Sequence, residues 1–238
     1  MSSGFPGFPR EGIEFFRGLS RHNNRDWFQP RKRIFEEVVK RPMCQLVEAL
    51  NRAMLDFAPD YITDPAKAIY RIYRDTRFSQ DKTPYKDHIA ANFRWRRGGR
   101  HEGAGYYFAI SHKEVAIGGG LYMPEPEVLL AVRNHIAHHH QRLLDAVNCR
   151  MVRRLLGEMQ GEQLTRIPKG FPADHAAADL LRYKRFILYI VLAPEIATTS
   201  ALLPAIVTRF RAMRPFLEFL NAPLTPARAK VDARELLL

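Results

Sequence analysis

Two short apolar runs, Tyr106 to Ser111 and Val115 to Ile117, are separated by only a few residues around His112 and Lys113. Parallel neighbours need a crossover of a dozen or more residues, so these runs must pair antiparallel as a hairpin. His88 to Trp95 alternates well enough to add a strand before them, with Arg96-Arg-Gly-Gly-Arg-His101 as an exposed turn between. Ile69-Tyr-Arg-Ile-Tyr-Arg74 also alternates, Ile69, Arg71 and Tyr73 against Tyr70, Ile72 and Arg74, and its aromatic and β-branched residues favour an extended chain. Ile187-Leu-Tyr-Ile-Val-Leu192 is apolar, rich in β-formers and of strand length. The expectation is a central antiparallel sheet of about five strands.

Helical spacing governs the flanks. Ile13, Phe15, Phe16 and Leu19 suit one amphipathic helix. Asn24 caps a second that carries Trp27, Phe28, Ile34, Phe35, Val38 and Val39, so the polar cluster from His22 to Asp26 reads as a cap and turn. Pro42 opens a third helix, where its missing N–H costs least. Beyond the hairpin, Pro124-Glu125 starts a long helix through Val147, Val152 to Met159 a shorter one, and Thr199 to Leu220 a last amphipathic one. The fold class is α+β: one domain over residues 1–238, with a core at about 8–220 and a C-terminal tail at 221–238. A chain of 238 residues that is 46% hydrophobic is long enough for one substantial core.

The densest chemistry follows Ile69. Nine Lys or Arg stand against three Asp between Arg71 and Arg100, which places half of the formal +12 charge in thirty residues. After the alternating run, Asp75 and Thr76 break it and Pro84 pushes Thr83 from helical angles, so residues 76–85 form a shaped loop. Arg77 and Lys82 offer charge there, Ser79 and Thr83 offer hydroxyls, and Asp75 and Asp81 can hold the cations in place. A guanidinium fork suits carboxylate or phosphate, and an ammonium acts as a point charge. Tyr70, Tyr73, Phe78, Tyr85, Phe93 and Trp95 are interleaved with these cations, as in grooves that pair with phosphates and stack on bases. The plainer reading is an internal ion-pair network around Asp75, Asp81 and Asp87, with the aromatics in the core.

The run Arg74-Asp-Thr-Arg-Phe-Ser-Gln-Asp-Lys-Thr-Pro-Tyr-Lys86 resembles the R-D-x-R-F-S-x-D-K-T-P-Y-K hallmark of the domain of unknown function 2461 family, a group of bacterial and fungal conserved hypothetical proteins. Asn23-Asn-Arg-Asp-Trp-Phe28, Tyr106-Tyr107, Gly118-Gly-Gly-Leu-Tyr-Met-Pro-Glu125 and Pro168-Lys-Gly170 agree in order, so the resemblance spans roughly Phe8 to Leu220. It implies a single-domain unit. It brings no activity, substrate or catalytic residue with it.

Other features exclude more than they assign. Cys44 and Cys149 have no paired spacing, which supports neither a disulfide framework nor a cysteine metal site. The longest apolar stretch, Phe186 to Ala193, falls well short of the ~20 residues of a membrane span. The N-terminus lacks a positive segment followed by an apolar one, so no signal peptide and a cytoplasmic location are expected. His135 and His139 share a helix face but lack a carboxylate to complete a ligand set, and no metal is assigned. Gly118-Gly119-Gly120 reads as a tight strand-to-helix turn rather than a nucleotide loop, having neither Gly-x-Gly-x-x-Gly nor a Walker lysine. Lys169 and Lys184 are expected to be solvated.

The leading expectation is an anion-binding module whose partner is nucleic acid or a phosphorylated small molecule, contacted by Arg71, Arg74, Arg77, Ser79, Lys82, Thr83 and Lys86. The second is an enzyme acting on a phosphorylated or carboxylated substrate, with Asp75 or Asp81 as acid/base and the cations stabilising developing charge. The third is a scaffold whose ion pairs are structural. The residues name no cofactor and fix no oligomeric state.

Overall fold

The computed structural model describes residues 4–77, 79–97 and 103–225. Phe78, most of the expected turn at 96–101 and the end of the expected tail lie outside them. Four strands, β1 (His88–Phe93), β2 (Gly105–Ser111), β3 (Val115–Leu121) and β4 (Phe186–Leu192), form one sheet in the order β1-β2-β3-β4, every pair antiparallel. The hairpin between β2 and β3 turns through His112 and Lys113, and the Ser111 hydroxyl accepts from the backbone N–H of Lys113 and Glu114 at 3.0 Å each.

Among the described residues the count of strands is four rather than five. Ile69 to Arg74 is not a strand: it meets the sheet in one isolated bridge, Ile69 with Ala91, and a second bridge joins Tyr73 to Tyr85 outside the sheet. The chain instead folds back on itself at the margin of β1. Tyr70 N–H donates to the Ala90 carbonyl, Lys86 N–H to Ile72 and Arg74 N–H to Pro84. The glycine run is a second correction. Gly118, Gly119 and Gly120 lie within β3, each paired on both sides.

Before the sheet come α1 (Arg10–Arg21), then α2 (Arg25–Phe28), α3 (Lys32–Phe35) and α4 (Arg41–Met54), joined without a break by a 3-10 turn at Gln29–Arg31 and a π turn at Glu36–Lys40. Asn24 caps α2 as its side chain suggests, its Oδ1 accepting from Trp27 N–H at 2.9 Å. The one-turn α5 (Pro65–Ala68) leads to the motif. After β3 come α6 (Pro126–Asn148), α7 (Arg150–Leu156) and the short α8 (Ala178–Leu181), and α9 (Leu202–Asn221) closes the core. No helix among the described residues is long and apolar enough to cross a membrane.

Strand alternation sends Ile89, Ala91, Phe93, Tyr106, Phe108, Ile110, Val115 and Ile117 to one face, all buried against the helices. On α9, Phe210, Met213, Phe216, Leu217 and Leu220 are fully buried, each such side chain contributing about 1.5–3 kcal/mol relative to exposure. Gly119 lets α9 come close: a Cβ there would stand 2.8 Å from Met213 Sδ. The contacts of α9 with β2 and β3 fall on this side. The opposite face carries Ala90, Ala109 and Ala116 with Tyr107 and Tyr189, a separate small apolar cluster.

Candidate ligand-binding site

The uncovered sheet face is built of rows read across the strands. One row is Ala90, Ala109, Ala116 and Val191; a second is Asn92, Tyr107, Gly118 and Tyr189; a third is Gly105, Gly120 and Ile187. Small residues make up most of this floor, and large rings stand only at Tyr107 and Tyr189. The result is a trough of about 980 Å³ whose lining comes from strands and loops, at the upper end of the ~300–1,000 Å³ typical of small-ligand sites. The glycines cannot be replaced freely. A Cβ on Gly118 would stand 3.0 Å from the Tyr189 ring, and at Gly120, where φ is +135°, a Cβ would stand 2.0 Å from the Phe186 carbonyl oxygen.

The chain from Lys86 to Arg94 supplies one wall. Lys86, His88, Ala90, Asn92 and Arg94, every second residue, line the trough, while Ile89, Ala91 and Phe93 between them enter the core. Asn92 Nδ2 donates to the Tyr70 hydroxyl at 3.3 Å, and the Lys86 ammonium stands 5.1 Å from the centre of the Tyr70 ring. Beyond β4 the wall is made by Gln160, Tyr122 and Met123. Arg185 lies over the Tyr122 ring at 5.6 Å.

The titrations follow from this placement. Burial, reinforced by neighbouring Tyr189, Tyr70 and Tyr122, pushes the Tyr107 phenol up to about 12, which keeps it a neutral donor. Burial also raises the Tyr189 phenol. The Lys86 ammonium is pulled below its ordinary value, first by burial and then by repulsion from Arg71. Among the described residues neither Arg71 nor Lys86 has a carboxylate within ion-pair distance, whereas the neighbouring Asp75, Asp81 and Asp87 pair with other side chains. Lys86 is thus a cation on a concave face with Arg71 beside it, and Arg71 also acts at longer range on the Asp75 carboxylate.

His88 also faces the trough and has Asp87 Oδ1 at 3.3 Å from its Nδ1. Competing influences act on the Asp87 carboxyl: burial is the largest and raises its pKa, but His88 and Lys113 bring the net value down.

The other expected site residues sit together in the loop beyond the trough, joined mainly to one another. Arg74 donates to Asp81 and to the Thr83 hydroxyl. Arg77 grips Asp75 with two bonds, Nε to Oδ1 at 3.0 Å and Nη2 to Oδ2 at 2.7 Å. Lys82 Nζ donates to the Thr76 carbonyl at 2.9 Å, Thr83 N–H donates to Asp81 Oδ1 at 2.9 Å, and Ser79 N–H reaches the Thr76 carbonyl at 3.4 Å. These bonds hold the Asp75 and Asp81 carboxyls down at about 2, through Arg77 and Arg74 respectively. Lys184 pairs with Glu162. Of these expected residues Lys86 alone lines the trough, with Arg71 near enough to repel it, and Arg74, Arg77, Ser79, Lys82 and Thr83 shape the turn before it.

Several trough residues were not singled out from sequence: His88, Asn92, Tyr107, Gln160 and Tyr189. One signal was available, the alternation of polar and apolar side chains from Lys86 to Arg94. Tyr107 and Tyr189 meet only through the strand register, with Gly118 between them.

No curated protein and no solved structure matches this chain. The family model described as "Conserved hypothetical protein (DUF2461)" matches residues 11–219, and the chain accordingly belongs to that family.

Proposed function

We propose that the open sheet face binds a phosphate-bearing ligand that carries a flat ring, a nucleotide free or within nucleic acid. Arg71 and Lys86 meet the phosphate, and Tyr107 and Tyr189 take the ring. The observation that carries this reading is Lys86, a cation with no carboxylate in ion-pair distance, on the wall of a trough floored by alanine and glycine, with Arg71 beside it. The surplus of positive charge, +12 over the chain, adds long-range attraction for such a ligand. The loop from Arg74 to Thr83 then serves as a brace, its two carboxylates paired with Arg77 and Arg74 and its shape fixing where Lys86 emerges.

Calorimetric titration with adenosine monophosphate at low and high salt tests the reading. It requires saturable binding that weakens with salt, and a loss of about tenfold or more in Lys86→Ala, since hydrogen bonds to charged groups contribute about 1.5–3 kcal/mol. Binding unchanged in Lys86→Ala and Arg71→Ala removes it.

His88 supports a second reading, an enzyme acting on the same ligand. A histidine with a carboxylate at one ring nitrogen and a cavity beside it is the arrangement of a general base. Asp75 and Asp81 suit that task less well, because a proton-transferring carboxyl needs a value raised toward neutrality and theirs are lowered. His88→Asn with ligand affinity kept and turnover lost supports this reading, and turnover retained in that variant removes it.

A further inference from the structure

The cations of the trough are not gathered at one point. Lys86 lies before the N-terminal end of β1 and Arg94 directly after its C-terminal end, and both line the same cavity. At roughly 3.3 Å per residue β1 alone covers about 17 Å, which puts these two charges on the order of 20 Å apart. A mononucleotide carries its phosphate at one end and cannot meet both.

The rings are also spread out. Tyr107 and Tyr189 occupy one row with a single strand between them, so their backbones lie about 10 Å apart at the ~4.8 Å spacing of neighbouring strands. Each tyrosine stands on its own strand and offers a stacking surface of its own. The Tyr189 ring leans over Gly118, where a Cβ would stand 3.0 Å from it, so the floor stays open to a ring only because residue 118 has no side chain.

Building on the reading above, we infer that the ligand is a short single-stranded stretch of nucleic acid rather than a free nucleotide. One phosphate sits at Arg71 and Lys86, a later one at Arg94, and two bases stack on Tyr107 and Tyr189. The side-chain amides of Asn92 and Gln160, at opposite margins of the floor, face the base edges. A duplex does not satisfy this arrangement, because its bases are already stacked and its rings cannot lie on the sheet. Binding of this kind is tolerant of sequence, since every base has a face to stack.

Titration of the full chain with adenosine monophosphate, a dinucleotide, a tetranucleotide, an octanucleotide and a duplex of the same length tests the inference. Affinity rises at least about tenfold, about 1.4 kcal/mol, between the monophosphate and the tetranucleotide and then levels off. The duplex binds more weakly than the single strand. Arg94→Ala lowers tetranucleotide affinity by a larger factor than monophosphate affinity. A tetranucleotide that binds no tighter than the monophosphate, or a duplex that binds as well as the single strand, overturns the inference and leaves the nucleotide reading standing. No binding by any of these ligands removes both.

Discussion

Asn23 holds the backbone of Tyr85 from both sides: its Nδ2 donates to the Tyr85 carbonyl at 2.9 Å and its Oδ1 accepts from the Tyr85 N–H at 3.0 Å. A side-chain amide thus takes the place of a neighbouring strand at the residue that precedes Lys86. Tyr85 is buried, with its ring stacked 4.1 Å from Phe28. The segment between α1 and α2 thereby fixes the position of the trough cation from more than sixty residues away. Asn23→Ala leaves two buried backbone groups without partners, at about 1–3 kcal/mol for such a group. In a domain of this size about 2–4 °C of melting temperature accompanies each kcal/mol. Thermal unfolding should therefore show a fall of several degrees, and nucleotide affinity should weaken although Asn23 lines no part of the trough. An unaltered melting temperature contradicts the bracing role.

The stacking surface is tested by Tyr189→Ala. Base-on-ring stacking contributes about 1–3 kcal/mol per base, so affinity for a single-stranded ligand should fall between several-fold and a hundredfold. Tyr189 is partly exposed, and the melting temperature should change little. A variant that binds as tightly as the wild type places the rings elsewhere.

Gly118→Val tests the floor. The new side chain meets the Leu188 carbonyl and the Tyr189 ring, each 3.0 Å from its Cβ, and pushes the ring from its place on the floor. Overpacking of this kind costs about 1–3 kcal/mol in stability. Binding should be lost more completely than stability, as calorimetry on the folded variant will show. Retained affinity argues that the ligand avoids the floor.

The loop carboxylates make a prediction about acid. Asp75 and Asp81 sit at about 2 in the folded chain against about 3.9 in an unfolded one. Their contribution is thus fully present above about pH 4 and is lost as pH falls toward 2. The backbone N–H of Arg77 and of Thr83 donate to these carboxylates, so the exchange rates of those two amides report the loss. They should accelerate across this window relative to amides of β2, after correction for intrinsic rates. Constant protection down to pH 2 contradicts the pairing.

Much of this architecture is legible in the sequence because local rules decide it. The short link at His112 and Lys113 dictates the antiparallel hairpin, and Asn24 caps its helix for the reason its side chain suggests. Ile69 to Arg74 shows where such rules end: its alternation is real, but the chain turns back at Tyr85 and spends its hydrogen bonds on its own loop. Gly118 to Gly120 escaped because glycine has low strand propensity, and what favours it here is the nearness of α9 on one side and of Tyr189 on the other. The site was legible in part. Charge density marks the right region, yet which cations lack partners depends on folded geometry: Arg77 reaches back to Asp75 and Arg74 forward to Asp81, while Arg71 and Lys86 find each other. Alternation distinguishes the two faces of a sheet. It does not say which face the helices leave open.

The central claim is that this open face, with Lys86 on its wall and Arg71 beside Lys86, is where the protein meets its ligand. The most direct measurement is a calorimetric titration of a single-stranded tetranucleotide into the wild type and into Arg71→Ala/Lys86→Ala, each at low and high salt. The account predicts salt-sensitive binding by the wild type, with affinity at least about a hundredfold weaker in the double variant, the combined loss of two charged contacts. Equal affinity and equal salt dependence in the two proteins would contradict it.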